Sequence, residues 1–374
     1  VVSTAAPDVS IRDSRARNTR WLFFGILLAL ALFTRLYHLD TQPYGHKNDS
    51  TRMTLDGYVL LQDGIYETLT YQARESSLPY LYGLLVDLFG FSNGIIRLPS
   101  ALVGIVGVLC LCLLIFRIMP DFWAFCVSLT LVTYGPLFAL DRLALRTSVC
   151  TAVIFAFLLL FFALKSSARR LHLFVLGLVY VAGFHSYGAY RPMPLFVAVL
   201  LAIPFWEAEE RSYLLRKLLF FGLGALLGGI NMVYIILTEE PAAYLWREGD
   251  LFGKVIGSDA GLFGMVGYNI LEFLRLLLGQ DFPRPVGAEV PYFHAAWLPV
   301  LAFGIYVAAR ARVRSVEFSF LIGLCIFLAP GLLTDELFAR RILTALVLVV
   351  ALTGIGAYEA IRRLGEERNR RIRG

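Results

Sequence analysis

The sequence predicts an all-α polytopic membrane protein of about ten transmembrane helices, with amphipathic helices in two long loops on one side of the bilayer. Three observations carry that fold class. Of the 374 residues 58% are hydrophobic and only 17% charged, where soluble domains run near 45–50% and 25%, to within a few per cent. The apolar residues gather into blocks of roughly 17 to 22, the length of helix that crosses a ~30 Å hydrocarbon layer. The basic residues sit between those blocks and form no surface stripe, so the net charge of +6 reads as positive-inside topology, with no nucleic-acid partner expected.

In chain order, the expected spans cover about 21 to 37, 98 to 116, 122 to 140, 147 to 164, 171 to 188, 192 to 206, 218 to 237, 292 to 309, 316 to 333 and 342 to 360. The tail over 1–20 is too long and polar for a cleavable signal, so the first span is expected to stay in the protein. Arg12, Arg15, Arg17 and Arg20 precede it. Lys165, Arg169 and Arg170, then Arg211, Arg216 and Lys217, then Arg310, Arg312 and Arg314 occupy short connections, and six arginines follow Ile361. All fall on one face if both termini are cytoplasmic, which leaves the connections 38–97 and 238–291 outside. The organisation is therefore a tail over 1–20, a membrane domain over 21–361 and a basic tail over 362–374. Cys110, Cys112, Cys126, Cys150 and Cys325 lie inside apolar blocks, with no spacing for a disulfide framework or a zinc site.

The long loops carry helical signals. Asn48 or Asp49 can cap a helix that runs to Gly64. Ser77 can cap a second, with Pro79 in its first turn, an apolar face through Tyr80, Leu81, Leu84, Leu85 and Leu88, and Gly90 as its stop. In the other loop Tyr268 to Leu278 has the same character. These stretches are too short to span and are read as lying at the membrane surface or on the bundle.

The span interiors hold almost no ionisable group, which argues against a proton-coupled transporter. Charge gathers at the outer ends instead: Asp49, Arg52 and Asp56; Asp141, Arg142 and Arg146; Tyr187 and Arg191; Asp281 and Arg284; Arg340 and Arg341. Carboxylates and arginines sharing one face suit a substrate with an apolar tail and an anionic phosphate, because arginine stays charged and binds phosphate oxygens bidentately.

Several blocks then form a pattern. Arg35-Leu36-Tyr37-His38-Leu39-Asp40 with Pro43 and His46 to Asp49, Leu78-Pro79-Tyr80-Leu81-Tyr82, Arg97-Leu98-Pro99-Ser100, Asp141-Arg142-Leu143-Ala144-Leu145-Arg146, His185-Ser186-Tyr187-Gly188-Ala189-Tyr190-Arg191-Pro192, and Gly279-Gln280-Asp281 with Arg284 follow in order along nearly the whole chain. Together they resemble bacterial relatives of the dolichyl-phosphate-mannose protein mannosyltransferases, of the GT-C class of membrane glycosyltransferases. The resemblance implies an outward-facing, mannosyltransferase-like and inverting site in a bacterial cytoplasmic membrane. It also implies a polyprenyl-phosphate-linked sugar donor and an acidic residue in the first outer loop. Asp49 holds the matching position, and Ser50 follows where many relatives carry a second acid.

On this reading Asp49 is the expected base and Asp141 a candidate second acid. Arg142, Arg146, Arg191, Arg340 and Arg341 are candidates for the donor phosphate, and Tyr187, Asp281 and Arg284 for the rest of the substrate. Each has a competing structural reading: a helix cap for Asp49, a local ion pair with Arg142 or Arg146 for Asp141, snorkelling to headgroups for the arginines, and packing for Tyr187, expected at i,i+4 from Arg191 on a helix end. A divalent metal stays open; Asp49, Asp141 and His46 are its candidate ligands, with no short ligand motif behind them. The partners expected are the lipid-linked donor, membrane lipids, and an acceptor that is a glycan, lipid or protein. The competing functions are a transporter or scramblase of lipid-linked substrates and a catalytically silent homologue.

Overall fold

The computed structural model describes residues 9–42, 48–63, 77–164, 170–207, 211–230, 232–233, 261–278, 293–312, 315–334, 337 and 340–373. These residues are helical throughout, apart from short turns. The elements are α1 (Val9–Leu36), α2 (Asn48–Asp63), α3 (Ser77–Phe89), α4 (Asn93–Ile115), α5 (Asp121–Val132), α6 (Gly135–Asp141), α7 (Arg146–Leu164), α8 (Arg170–Ala182), a 3-10 turn (Gly188–Tyr190), α9 (Met193–Glu207), α10 (Arg211–Gly228), α11 (Gly261–Leu277), α12 (Leu298–Arg310), α13 (Val316–Leu332) and α14 (Leu343–Arg373).

Each expected span overlaps a helix among the described residues, but only four of those helices are long and apolar enough to cross a membrane: Asn18–Leu36, Asn93–Ile115, Arg146–Ala163 and Leu343–Arg371. The block 122–140 was expected as one helix and is instead α5 and α6, meeting at 54°. Pro136 causes the break, because it has no N–H to offer the carbonyl of Val132 one turn earlier. Counted together, that pair makes a fifth span. The block 171–188 stops at Ala182, and Tyr187 is extended (φ −161°). The remaining blocks form shorter apolar helices. An integral membrane protein follows from these helices together with the apolar outer surface, where Trp21, Phe33, Phe122 and Leu195 are more than half exposed.

Small residues set the closest helix contacts. A Cβ at Gly177 or Gly224 would collide with the facing backbone of α10 or α8, and one at Gly304 or Gly356 with that of α14 or α12. Close backbone approach of this kind is how helices gain packing where lipid offers no hydrophobic drive. Ser77, expected to cap the second loop helix, is the first residue of α3, which runs to Phe89; Gly90 (φ +79°) ends it as expected, with its N–H on the Val86 carbonyl at 2.9 Å. The helix expected at Tyr268 to Leu278 begins earlier, at Gly261.

Candidate functional site

At the end of the bundle where α1 terminates, the chain folds into a corner built on charge. A helix C-terminus leaves its last carbonyls without intrahelical donors. Arg142 supplies them: Nη1 donates to the Thr34 carbonyl at 2.8 Å, and Nη2 to those of Tyr37 at 2.7 Å and Gln42 at 3.1 Å. A cation is also what the helix dipole favours there. Arg97 donates to the Leu39 carbonyl at 2.9 Å, and Asp40 accepts from Gly94 N–H at 2.8 Å near the start of α4. Arg35 Nη1 reaches the Val132 carbonyl at 3.2 Å, the acceptor that Pro136 leaves open. Its Nε meets Asp141 Oδ2 at 2.7 Å, both side chains being fully buried. Gly104 lets Asp141 come that close, since a Cβ would occupy the carboxylate's place. The two non-glycine residues in left-handed conformation, His38 and Ala144, flank this corner among the described residues. Such conformations cost of order 1–3 kcal/mol and persist only where surrounding contacts impose them.

This arrangement answers two expectations. The local ion pair of Asp141 with Arg142 or Arg146 is not the one formed; its partner is Arg35, 106 residues away in sequence. With no exposed surface and a carboxylate oxygen committed to Arg35, Asp141 is out of reach of a substrate or a metal in this conformation. Arg142, only 8% exposed, donates from both Nη atoms to backbone carbonyls, an arrangement that fits a structural role.

A second group lies beside this corner. Arg146 opens α7, and its guanidinium carbon stands 5.9 Å from the centre of the Tyr187 ring. Tyr187 and Arg191 flank the 3-10 turn, not a helix end, so their relation is that of a tight turn over buried Tyr190. That turn packs against α7 and α13. Thr151 and Thr344 share a hydrogen bond at 3.0 Å between α7 and α14. Arg146 opens α7 five residues before Thr151, and Arg340 and Arg341 lie in the turn just before α14. Arg146, Arg191, Arg340 and Arg341 are all partly exposed.

Asp49 lies in the first turn of α2; its side chain is outside the described ones. His46, Asp281 and Arg284 are also outside the described residues. Among the described residues no group of three His, Cys, Asp or Glu is placed to hold a metal. The structural roles of Arg35 and Arg97 escaped the sequence reading. Pro136 was the available signal for Arg35, because it announces an unfilled carbonyl.

No protein-family model and no curated protein sequence matches the chain. Among solved structures it is similar to ArnT from Cupriavidus metallidurans bound to undecaprenyl phosphate, with a TM-score of 0.67 at 15% identity over 90% of this chain and 60% of that one. It is also similar to the Archaeoglobus fulgidus oligosaccharyltransferase, with a TM-score of 0.53 at 13% identity over 94% and 51%. The oligosaccharyltransferase AglB of that organism, in complex with an inhibitory peptide and a dolichol-phosphate, gives 0.53 at 12% over 94% and 51%. The chain thus spans about half to three fifths of the length of these structures. At such identity the likeness is one of fold: the chain resembles the polytopic GT-C fold of membrane glycosyltransferases.

Proposed function

We propose that the protein is a membrane glycosyltransferase that moves a sugar from a polyprenyl-phosphate-linked donor to an acceptor on the outer face of a bacterial cytoplasmic membrane. The observation that carries this reading is the likeness of fold to proteins solved with undecaprenyl phosphate and with a dolichol-phosphate. Support comes from Arg146 beside Tyr187, Arg191 across the adjoining 3-10 turn, Arg340 and Arg341 just before the helix that Thr344 ties to α7, and Asp49 in the first turn of a loop helix. The ion pair of Arg20 with Asp121 at 2.7 Å lies at the opposite, cytoplasmic end. The remaining expected spans are carried by the shorter helices, and a relationship to the protein mannosyltransferases belongs to the same proposal.

In the reaction Asp49 takes the proton of the acceptor hydroxyl as its oxygen bonds to the anomeric carbon from the side opposite the phosphate. The bond from that carbon to the phosphate oxygen breaks, and its electron pair leaves with the polyprenyl phosphate. Arg146, Arg191, Arg340 and Arg341 hold the phosphate and stabilise the charge that develops on it. Asp281 and Arg284 contact the sugar or acceptor. Arg142 and Asp141 hold the scaffold.

Purified protein in liposomes, given polyprenyl-phosphate-linked hexoses and a glycan or lipid acceptor, should release polyprenyl phosphate and form glycosylated product. Movement of the intact donor across the bilayer with no product would establish the transporter or scramblase reading instead. Absence of both would leave a silent homologue.

A further inference from the structure

The loop helix that carries Asp49 is fastened to the bundle indirectly. Among the described residues α2 packs chiefly on α3. That contact is backbone to backbone: a Cβ at Gly57 would strike the Pro79 carbonyl, and one at Gly83 the Gly57 carbonyl. Two helices this close move together. The hairpin is in turn joined to the bundle through Tyr82, the neighbour of Gly83, which faces the other way. Its side chain is fully buried against Ile96 and Ala144, with Val86 and Val149 around it. Its hydroxyl lies 2.7 Å from Ser100 Oγ, and Ser100 Oγ lies 3.5 Å from the Leu145 carbonyl, one residue before Arg146. Burial pushes the Tyr82 phenol up to about 12, so it keeps its proton for this contact.

We infer that Tyr82, through Ser100, is the positioning residue that sets the Asp49-bearing hairpin in register with Arg146. This deepens the transferase reading and rests on it. Asp49 stands eight residues from Gly57, about two helical turns or ~12 Å along α2, so a small tilt at Tyr82 is magnified at the base. Arg146 would not follow such a tilt. Helix α7 is held independently by α4, where Gly107 abuts Ala152, and by α14 through Thr151 and Thr344. Loss of the latch therefore misplaces the base and leaves the donor phosphate site intact.

Tyr82→Phe removes the hydrogen bond and little else, and Ser100→Ala removes it together with the long contact to the Leu145 carbonyl. Each should lower kcat about fivefold, the equivalent of one neutral hydrogen bond of ~1 kcal/mol, and leave the Kd for a polyprenyl-phosphate sugar within about twofold. The double variant should be no slower than the worse single one. Hydrogen exchange should quicken in α2 and α3 and stay unchanged in α7. Wild-type kcat in both single variants, or additive losses in the double, would overturn the latch, as would unaltered exchange in α2. If Tyr82→Phe does not fold, Ser100→Ala decides alone. A wild-type protein inactive with every donor but showing the selective exchange change would sink the transferase reading and keep the mechanical one.

Discussion

Arg142 and Arg146 stand four residues apart in one block, and the fold uses them in opposite ways. Arg142 is nearly buried, with three backbone carbonyls on its guanidinium. Arg146 is partly exposed above an aromatic ring. The corner around Arg142 also contains Arg35, Arg97, Asp40 and Asp141, and its charges meet ligands supplied by the chain itself. At the rim Arg146 stands beside Tyr187, Arg191 closes the adjoining 3-10 turn, and Arg340 and Arg341 precede α14, whose Thr344 meets Thr151 of α7. An arginine whose donors are consumed by helix-end carbonyls does what a cap does; one that stays partly exposed over an aromatic ring keeps a face toward solvent. The two regions adjoin in sequence and share residue types, so composition alone could not separate them.

The largest effect is expected at Asp49, the proposed base. Asp49→Asn keeps the side-chain size and a hydrogen-bond acceptor at the helix N-terminus, and removes only proton affinity. Transfer should fall about 10² to 10⁴-fold with donor binding unchanged, as measured by single-turnover assay beside equilibrium binding. A wild-type rate in that variant would move the base to another acid of the first loop, with Asp56 the next to test.

Next comes the corner. Removing one partner of a buried ion pair leaves an uncompensated charge and costs about 3–5 kcal/mol. Asp141→Ala and Arg35→Ala should each destabilise strongly in detergent unfolding assays, and Arg35→Met with Asp141→Leu should recover most of the loss. Equal stability of the single variants would show that the pair opens to water, and would return Asp141 to candidacy as a second acid.

The divide between corner and rim also marks what was legible in the sequence. Helix positions and the stop at Gly90 are local properties, set by periodicity and backbone conformation within a few residues, and the structure follows them. The gathering of charge at helix ends was legible too, since spans place their termini at two levels. Pairings were not. Asp141 chooses between neighbouring arginines and one 106 positions away, a choice made by the break at Pro136 and the space above Gly104. Arg142 reads as an outward cation until α1 is seen to end beneath it.

An exchange of roles between the two arginines gives the third test. Arg146→Ala should weaken donor binding roughly ten- to a hundredfold, the worth of a charge-assisted contact of about 1.5–3 kcal/mol, with little change in unfolding. Arg142→Ala should do the reverse, lowering stability while the surviving folded fraction binds donor with normal Kd. Lysine at either position restores charge without the planar fork, so recovery should be partial in both. If Arg142→Ala abolishes donor binding at full stability, the division between a structural corner and a binding rim is wrong.

The smallest effect tests how the rim itself is assembled. Thr151 and Thr344 join α7, which Arg146 opens, to α14, which Arg340 and Arg341 precede. Each hydroxyl can fall back on a carbonyl of its own helix, so Thr151→Val or Thr344→Val alone should cost only about 0.5–1.5 kcal/mol. The double variant replaces a polar pair by an apolar pair of similar shape, and should cost no more than either single change. That non-additivity, read from unfolding of the four proteins in one detergent, is the signature of a direct contact. Donor affinity should shift by less than in Arg146→Ala, because the close backbone packing of α4 with α7 still fixes the helix. Simple additivity would mean that the two threonines do not meet, and that α14 reaches the rim in another register.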